Sequence, residues 1–176
     1  MSLAQVIEAV SIAMALGALA IAALKDFREY RIPNTTVLCL VAAFVPFAAV
    51  QGSWAFVLWA LAAGGVTFAL CAALFALRLI GGGDAKLIAA MALWTQFWAM
   101  PRFFVVMALA GGVLAAAFLL KARFARPTVS ATADATANST ETPIQQERVP
   151  YGVAIAVAGI DFFLFAKFSP LAALIG

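Results

Sequence analysis

Long apolar runs constrain this chain more than any other feature of its sequence. Residues 35–77 form a stretch of 43 residues without a charged side chain. A helix needs about 20 predominantly apolar residues to cross a bilayer, so this stretch is too long for one crossing. The turn-like cluster Gln51-Gly52-Ser53 divides it into two helices, over 35–50 and 53–79. Lipid is therefore the expected solvent for most of the chain.

Further apolar segments extend the same pattern over the rest of the chain. They run over 3–24, 84–100, 103–120 and 151–174, and Pro101-Arg102 separates the two middle segments. The sequence thus predicts an all-α polytopic membrane protein with about six transmembrane helices. A cleaved signal peptide is the competing interpretation of residues 1–24, although this segment lacks a basic start.

The composition excludes several kinds of chemistry. The chain is 66% hydrophobic and has no histidine, whereas an ordinary soluble domain is roughly 45–50% apolar. The missing histidine removes Ser-His-Asp catalysis and His-ligated zinc or haem. Cys39 and Cys71 are too few for a cysteine zinc site, and we expect both to be small core residues. Neither a metal nor a cofactor is expected.

The cations are distributed unevenly over the loops that six crossings create. Nine fall on one side and two on the other, which by the positive-inside rule places both termini outside. This placement explains the basic excess by loop anchoring, so no nucleic-acid partner is expected. The nine are Lys25, Arg28, Arg31, Arg78, Lys86, Lys121, Arg123, Arg126 and Arg148, and the two are Arg102 and Lys167.

One segment differs in kind from the apolar runs. Residues 121–150 are rich in Ala, Thr and Ser and have almost no large apolar side chains. Such a segment cannot bury a core, so we interpret it as a flexible cytoplasmic loop. It lies within a single transmembrane domain over residues 1–176.

Two aspartates return to the same membrane boundary in this topology. Asp26 closes the first helix and Asp84 opens the fourth, with two crossings between them. Ionisable groups at membrane depth are costly and tend to be functional. Taken singly, each could instead cap a helix end or pair with a cation, Asp26 with Lys25 or Arg28 and Asp84 with Lys86.

The residues around each aspartate are unusual. Gly81–Gly83 precede Asp84, and glycines lower helix stability by ~1 kcal/mol each. An extended peptide could lie against this irregular segment, although a plain turn between helices is the alternative. After Asp26, Pro33 disfavours helix at the residue before it, and Asn34 is expected to cap the next helix.

Together the two segments resemble the signature of the prepilin peptidases, polytopic aspartic proteases of the GxGD type. In that family an Asp six residues before Ile-Pro-Asn ends the first helix, and a second Asp lies in Gly-x-Gly-Asp-x-Lys-Leu. The resemblance covers about residues 20–160, and Pro150-Tyr151-Gly152 also resembles a family element. Presenilin-like proteases share Gly-x-Gly-Asp, but their other motifs do not occur here. The matching residues are Asp26 with Ile32-Pro33-Asn34, and Gly81, Gly83, Asp84, Lys86 and Leu87.

The resemblance implies a membrane aspartic endopeptidase with Asp26 and Asp84 as catalytic residues. Two neighbouring carboxyl groups share one proton, so the ionised one can activate water while the protonated one stabilises the oxyanion. The sequence leaves open which aspartate plays which role. The implied supporting residues are Gly81, Gly83, Lys86, Arg28, Pro33 and Asn34.

The implied substrate is a type IV or Flp-like prepilin, with a basic leader in the cytoplasm and a hydrophobic helix in the bilayer. Cleavage would occur at the cytoplasmic face of the inner membrane. Long bacterial members add a zinc-binding insertion with two CxxC pairs and N-methyltransferase activity; this chain lacks the insertion and the cysteines, which puts methylation in doubt. It is therefore closer to the short peptidases of Flp-type pilus systems or to archaeal preflagellin peptidases.

A non-enzymatic membrane protein is the alternative, either an ion-coupled transporter or a pilus-assembly scaffold. A transporter would more often place its carboxylates near the bilayer midplane, whereas Asp26 and Asp84 are expected at its edge.

Overall fold

Helices make up almost all of the chain where its structure is described. The structure is a computed structural model, and it describes residues 2–124 and 150–168. Of these residues 90% are helical and none forms a strand, so the all-α prediction is confirmed. The helices of this part are α1 (Leu3–Glu29), α2 (Asn34–Val50), α3 (Trp54–Ala76), α4 (Gly82–Phe124) and α5 (Tyr151–Phe168).

Length and composition make three of these helices capable of crossing a membrane. They are Leu3–Glu29, Trp54–Ala76 and Gly82–Lys121; Asn34–Val50 and Tyr151–Phe165 are apolar but shorter. These helices fit a membrane protein, whereas the count of six crossings and the position of the termini stay predictions. Most of the loop predicted over 121–150 lies outside the described residues, as does the part of the last predicted crossing that follows residue 168.

The long helix α4 is broken at Gln96. Its φ of 47° and ψ of −167° lie close to a region that is almost exclusive to glycine. The break divides α4 into two arms, over 82–95 and 97–124. Ile88 on the first arm lines the same cavity as Met107 on the second, which indicates that the two arms run back alongside each other.

This break corrects the boundary expected from the sequence. The two segments were expected to separate at Pro101-Arg102, but both residues lie inside the second arm and the chain reverses at Gln96. Proline tolerates a helical φ and is least costly near a helix start, so Pro101 fits soon after the break. The turn itself is made by a backbone conformation that no residue type in this stretch indicates.

The start of α2 also differs from expectation. Pro33 is the N-cap residue and makes no side-chain cap, so the prediction that Asn34 caps this helix is wrong. Asn34 is already helical, and its side-chain oxygen accepts a hydrogen bond from Lys86 at 3.1 Å. The extended conformation that proline favours places the helix boundary one residue earlier.

The core joins the helices around Trp94. Its indole N–H donates to the carbonyl oxygen of Leu40 at 3.2 Å, which ties the first arm of α4 to α2. Its ring centroid lies 5.5 Å from that of Phe44, 4.9 Å from that of Phe47 and 5.1 Å from that of Phe163. One aromatic side chain therefore packs α2, α4 and α5 together.

The two cysteines differ in environment. Cys71 is buried in α3 as expected, whereas Cys39 is exposed on α2, so the prediction of two core cysteines is wrong for Cys39. The buried side of α2 carries Thr36, Leu40 and Ala43, at helical spacing, and Cys39 falls off that stripe.

Candidate active site

Asp26 lies in the last turn of α1 and is buried, with 6% of its surface exposed. Its carbonyl oxygen accepts the N–H of Tyr30 at 2.9 Å, where α1 ends. Its Oδ2 atom accepts the backbone N–H of Gly152 at 2.7 Å, at the start of α5. A negative charge is favoured at a helix amino terminus, so this contact joins α1 to α5 through the carboxylate.

Gly152 allows this close approach. A Cβ atom there would lie 2.8 Å from Oδ2 of Asp26 and 2.9 Å from Cδ1 of Ile32. Both distances are shorter than real Cβ contacts, so any other residue would push the carboxylate or Ile32 away.

Asp84 lies in the first turn of α4 and is partly exposed. It faces a cavity of about 910 Å³ that Asp26 also lines. Gly81 leaves room for it, because a Cβ atom at Gly81 would lie 2.9 Å from Oδ2 of Asp84. The two aspartates therefore line one cavity, whereas their position at the cytoplasmic membrane boundary stays a prediction.

The two sequence segments around the aspartates contact each other directly. A Cβ atom at Gly83 would lie 3.1 Å from Cβ of Ile32, so the glycine and the isoleucine pack closely. Lys86 Nζ donates to Oδ1 of Asn34 at 3.1 Å. Two points of contact therefore hold the Ile-Pro-Asn segment against the glycine-rich segment.

Two of the three cations that were possible partners of the aspartates bond elsewhere. Lys25 pairs with Glu29 at 3.4 Å, one turn along α1, and Lys86 bonds to Asn34. Arg28 is exposed in the last turn of α1 and is not among the residues that line the cavity.

The structure therefore separates Arg28 from the other supporting residues. Gly81 lines the cavity, Gly83 and Lys86 contact the Ile-Pro-Asn segment, and Asn34 accepts from Lys86. Pro33 lies between the two residues that make these contacts and is partly buried.

Sequence reasoning missed two cavity residues with unusual backbones. Tyr30 has a φ of 51° and Arg78 a φ of 59°, and both line the cavity. A left-handed backbone costs a residue other than glycine roughly 1–2 kcal/mol, and such residues cluster at functional sites. Neither residue type signals this conformation, and the sequence indicates only that Arg78 is a loop cation.

The cavity combines a polar end with an apolar wall. Asp26, Asp84, Arg78, Tyr30 and Tyr151 supply polar groups. Such a space can take up a peptide backbone between the carboxyl groups while apolar side chains rest against the wall. Within the described ranges, no group of three or more His, Cys, Asp or Glu side chains is placed to hold a metal ion. The apolar wall consists of Leu79, Ile80, Ile88, Met107, Ala108, Ala115 and Ile155.

The fold and the site together describe an α-helical membrane protein in which two distant aspartates face one cavity. A model of the type IV leader peptidase family matches residues 13–116, which include both aspartates. The match covers more than half of the 176 residues, and the chain belongs to this family. No match was found among curated proteins or among solved structures. The resemblance to prepilin peptidases is thus confirmed, although Pro150-Tyr151-Gly152 lies outside the matched range.

Proposed function

We propose that the chain is a membrane aspartic endopeptidase that removes the basic leader from Flp-like prepilins, with Asp26 and Asp84 as the catalytic pair. Membership of the type IV leader peptidase family supports a prepilin leader peptidase. The observation that carries the catalytic assignment is that both aspartates line one cavity although their helices begin in distant parts of the chain.

Two facing carboxyl groups can cleave a peptide bond with water alone. They do not both ionise easily at short range, so they share one proton at working pH. The ionised group takes a proton from a water molecule, which attacks the scissile carbonyl carbon. The protonated group donates a hydrogen bond to the oxygen on which negative charge develops.

The position of the pair suits a substrate that lies half in the bilayer. Asp26 ends the apolar helix α1 and Asp84 begins α4, so both are near helix ends rather than at mid-helix. The apolar side of the cavity fits the first residues of a hydrophobic helix, and the polar side fits an extended backbone before it. The leader would remain in the cytoplasm, and the six predicted crossings would place both termini outside the inner membrane.

The family match favours this function over a transporter or an assembly scaffold. The Flp-like assignment rests on the sequence. The long bacterial members carry two CxxC pairs, whereas this chain has two single cysteines and no CxxC pair. The single domain over 1–176 with a cytoplasmic loop over 121–150 remains part of the same proposal.

Leader removal in cells tests the proposal. The full chain would be co-expressed with a small pilin that carries a basic leader, and processing would be followed by gel shift and by mass spectrometry of the pilin's new amino terminus. We expect cleavage at the boundary between the leader and the hydrophobic helix. A pilin that keeps its leader in the presence of the folded protein would contradict the proposal, as would cleavage inside the hydrophobic helix.

A further inference from the structure

The two aspartates of the pair are held differently. Asp26 is buried, and its Oδ2 atom accepts the Gly152 N–H at 2.7 Å. Gly152 is the second residue of α5, so this donor is one of the N–H groups at the amino-terminal end of the helix. Asp84 is partly exposed and lines the cavity.

We propose that Gly152 and the amino-terminal end of α5 hold Asp26 as the ionised aspartate, so that Asp26 activates the water and Asp84 acts as the acid. The inference rests on the proposed function and goes beyond it, because the proposed function leaves the two roles unassigned. Gly152 is a positioning residue in this scheme: it acts through Asp26 and touches neither the water nor the substrate.

Hydrogen bonds from backbone N–H groups stabilise a carboxylate more than a neutral carboxyl group. The unpaired N–H groups at the start of a helix add a favourable partial positive charge. Asp84 also lies in the first turn of a helix, but it belongs to that helix itself, α4, rather than receiving a hydrogen bond from the start of another helix as Asp26 does. Asp26 receives the Gly152 N–H from a separate element, and the close approach depends on the missing side chain of Gly152.

Partial exposure suits Asp84 for the acid's role. A protonated carboxyl group that faces the cavity can rotate its O–H toward the carbonyl oxygen of a bound peptide. Asp26 keeps Oδ2 on Gly152, which leaves its second oxygen for the water.

The other ionisable groups near Asp26 come from several elements. Arg78 and Asp84 are the charged groups that share its cavity, and Tyr30 and Tyr151 are the titratable groups there. Arg78 lines the cavity together with both carboxylates. Lys25 and Glu29 pair with each other, and Lys86 bonds to Asn34.

Infrared spectroscopy tests the assignment without any need for catalysis. The full chain in phospholipid nanodiscs would be titrated with acid while the absorption of protonated carboxyl groups is recorded. Asp84→Asn leaves only Asp26 of the pair, and Asp26→Asn leaves only Asp84. Subtracting the spectrum of the double variant removes the absorption of all other carboxyl groups. We expect Asp26 to take up its proton at a pH at least about one unit below that for Asp84, a tenfold difference in proton affinity. The opposite order would overturn the inference.

Glycine variants test the part played by α5. In the Asp84→Asn background, Gly152→Ala is expected to raise the pH of Asp26 protonation by about one unit. Gly17→Ala is the matched control on α1, because a Cβ atom there would meet nothing within 4 Å. An unchanged Asp26 titration in folded Gly152→Ala would overturn the inference. If Gly152→Ala does not fold, the order measured in the two Asn variants decides.

The same variants separate this inference from the proposed function. With the second aspartate present, Gly152→Ala should move the acid side of the pH–rate profile for leader cleavage upward, with little change in KM. Absence of cleavage by the unaltered protein would contradict the proposed function. Normal cleavage with the reversed order of titration would contradict only the assignment of roles.

Discussion

At the scale of single residues, glycines decide how closely the segments around the aspartates approach. Gly81 makes room for Asp84, and Gly152 makes room for Asp26. The sequence drew attention to Gly81 because it belongs to a run of three glycines. Gly152 stands alone, and only the 2.8 Å distance from its missing Cβ atom to the carboxylate shows why glycine is required there.

Replacing Gly83 by alanine tests the contact between the two motifs. The new Cβ atom would lie 3.1 Å from Cβ of Ile32, so the Ile-Pro-Asn segment must shift. We expect Gly83→Ala to lower the free energy of unfolding by about 1 kcal/mol. We also expect it to slow leader cleavage by about tenfold, which corresponds to a loss of ~1.4 kcal/mol of transition-state stabilisation. Thermal unfolding in detergent and the cleavage rate would be measured together.

Gly65→Ala is the control for this substitution. It lies inside α3, and a Cβ atom there would meet nothing within 4 Å. Alanine should stabilise this helix by roughly 0.5–1 kcal/mol and leave cleavage unchanged. A Gly83→Ala protein with normal stability and normal cleavage would refute the contact as a determinant of the site.

The shared proton predicts how activity depends on pH. At low pH both aspartates are protonated and no base remains; at high pH both are ionised and no acid remains. The rate of leader cleavage should therefore rise and then fall with pH, in a bell-shaped profile. A rate that increases steadily from pH 4 to pH 9 would argue against a pair that shares one proton. A soluble peptidase acting on the same peptide would control for changes in the substrate.

At the scale of elements, α5 is attached to its neighbours at its start and again near its middle. Gly152 bonds to Asp26 at its start. Further along, Asp161 accepts Nε of Arg102 at 3.0 Å and Nη2 at 3.2 Å. The same guanidinium group lies 3.6 Å from the ring centroid of Phe165. This ion pair thus joins the second arm of α4 to α5, the helix whose start carries Gly152.

A double-mutant cycle would measure this second attachment. Arg102→Leu and Asp161→Asn each remove the ion pair, which is about two-fifths exposed, and the double variant removes both partners. Because the pair is bidentate but solvent-accessible, we expect a coupling of about 1 kcal/mol in thermal or denaturant unfolding. Strictly additive effects would show that the pair does not hold α5. Lys25→Met with Glu29→Gln offers a comparison, since that exposed pair lies within one helix.

The elements also show where sequence reasoning stops. Apolar length predicted α1 and α2 well, because hydrophobic runs and Pro33 mark their ends. It misplaced the division of α4, because the reversal depends on the backbone of Gln96 rather than on the proline five residues later. A helix boundary that is set by backbone conformation leaves little trace in residue type.

At the scale of the whole molecule, the predicted topology explains why two distant aspartates can share a site. In that topology two crossings between Asp26 and Asp84 would return the chain to one membrane face, and in the structure both residues line one cavity. What topology could not supply was the third contributor, α5, whose first residues bond to Asp26. Its motif is short, and its sequence distance from Asp26 hides the contact.

Reporter fusions test the orientation of the whole molecule. The excess of cations on one side predicts that residue 124 faces the cytoplasm and that residue 176 lies outside. A phosphatase that is active only outside the membrane should be active when fused after Gly176 and inactive when fused after Phe124. A cytoplasm-dependent fluorescent reporter at the same two positions should give the reverse pattern. Phosphatase activity at residue 124 would contradict the orientation.

The central claim is that Asp26 and Asp84 together hydrolyse the prepilin leader, and rates with purified protein test it most directly. The full chain and its variants would be reconstituted in vesicles with a synthetic prepilin peptide, and single-turnover cleavage would be followed by mass spectrometry. We predict that Asp26→Asn and Asp84→Asn each lower the rate by at least about 10³-fold, because each removes one member of an acid–base pair. Glu8→Gln, which removes a carboxylate near the other end of α1, should cleave at the normal rate. Cleavage at the normal rate by either folded Asn variant would contradict the claim.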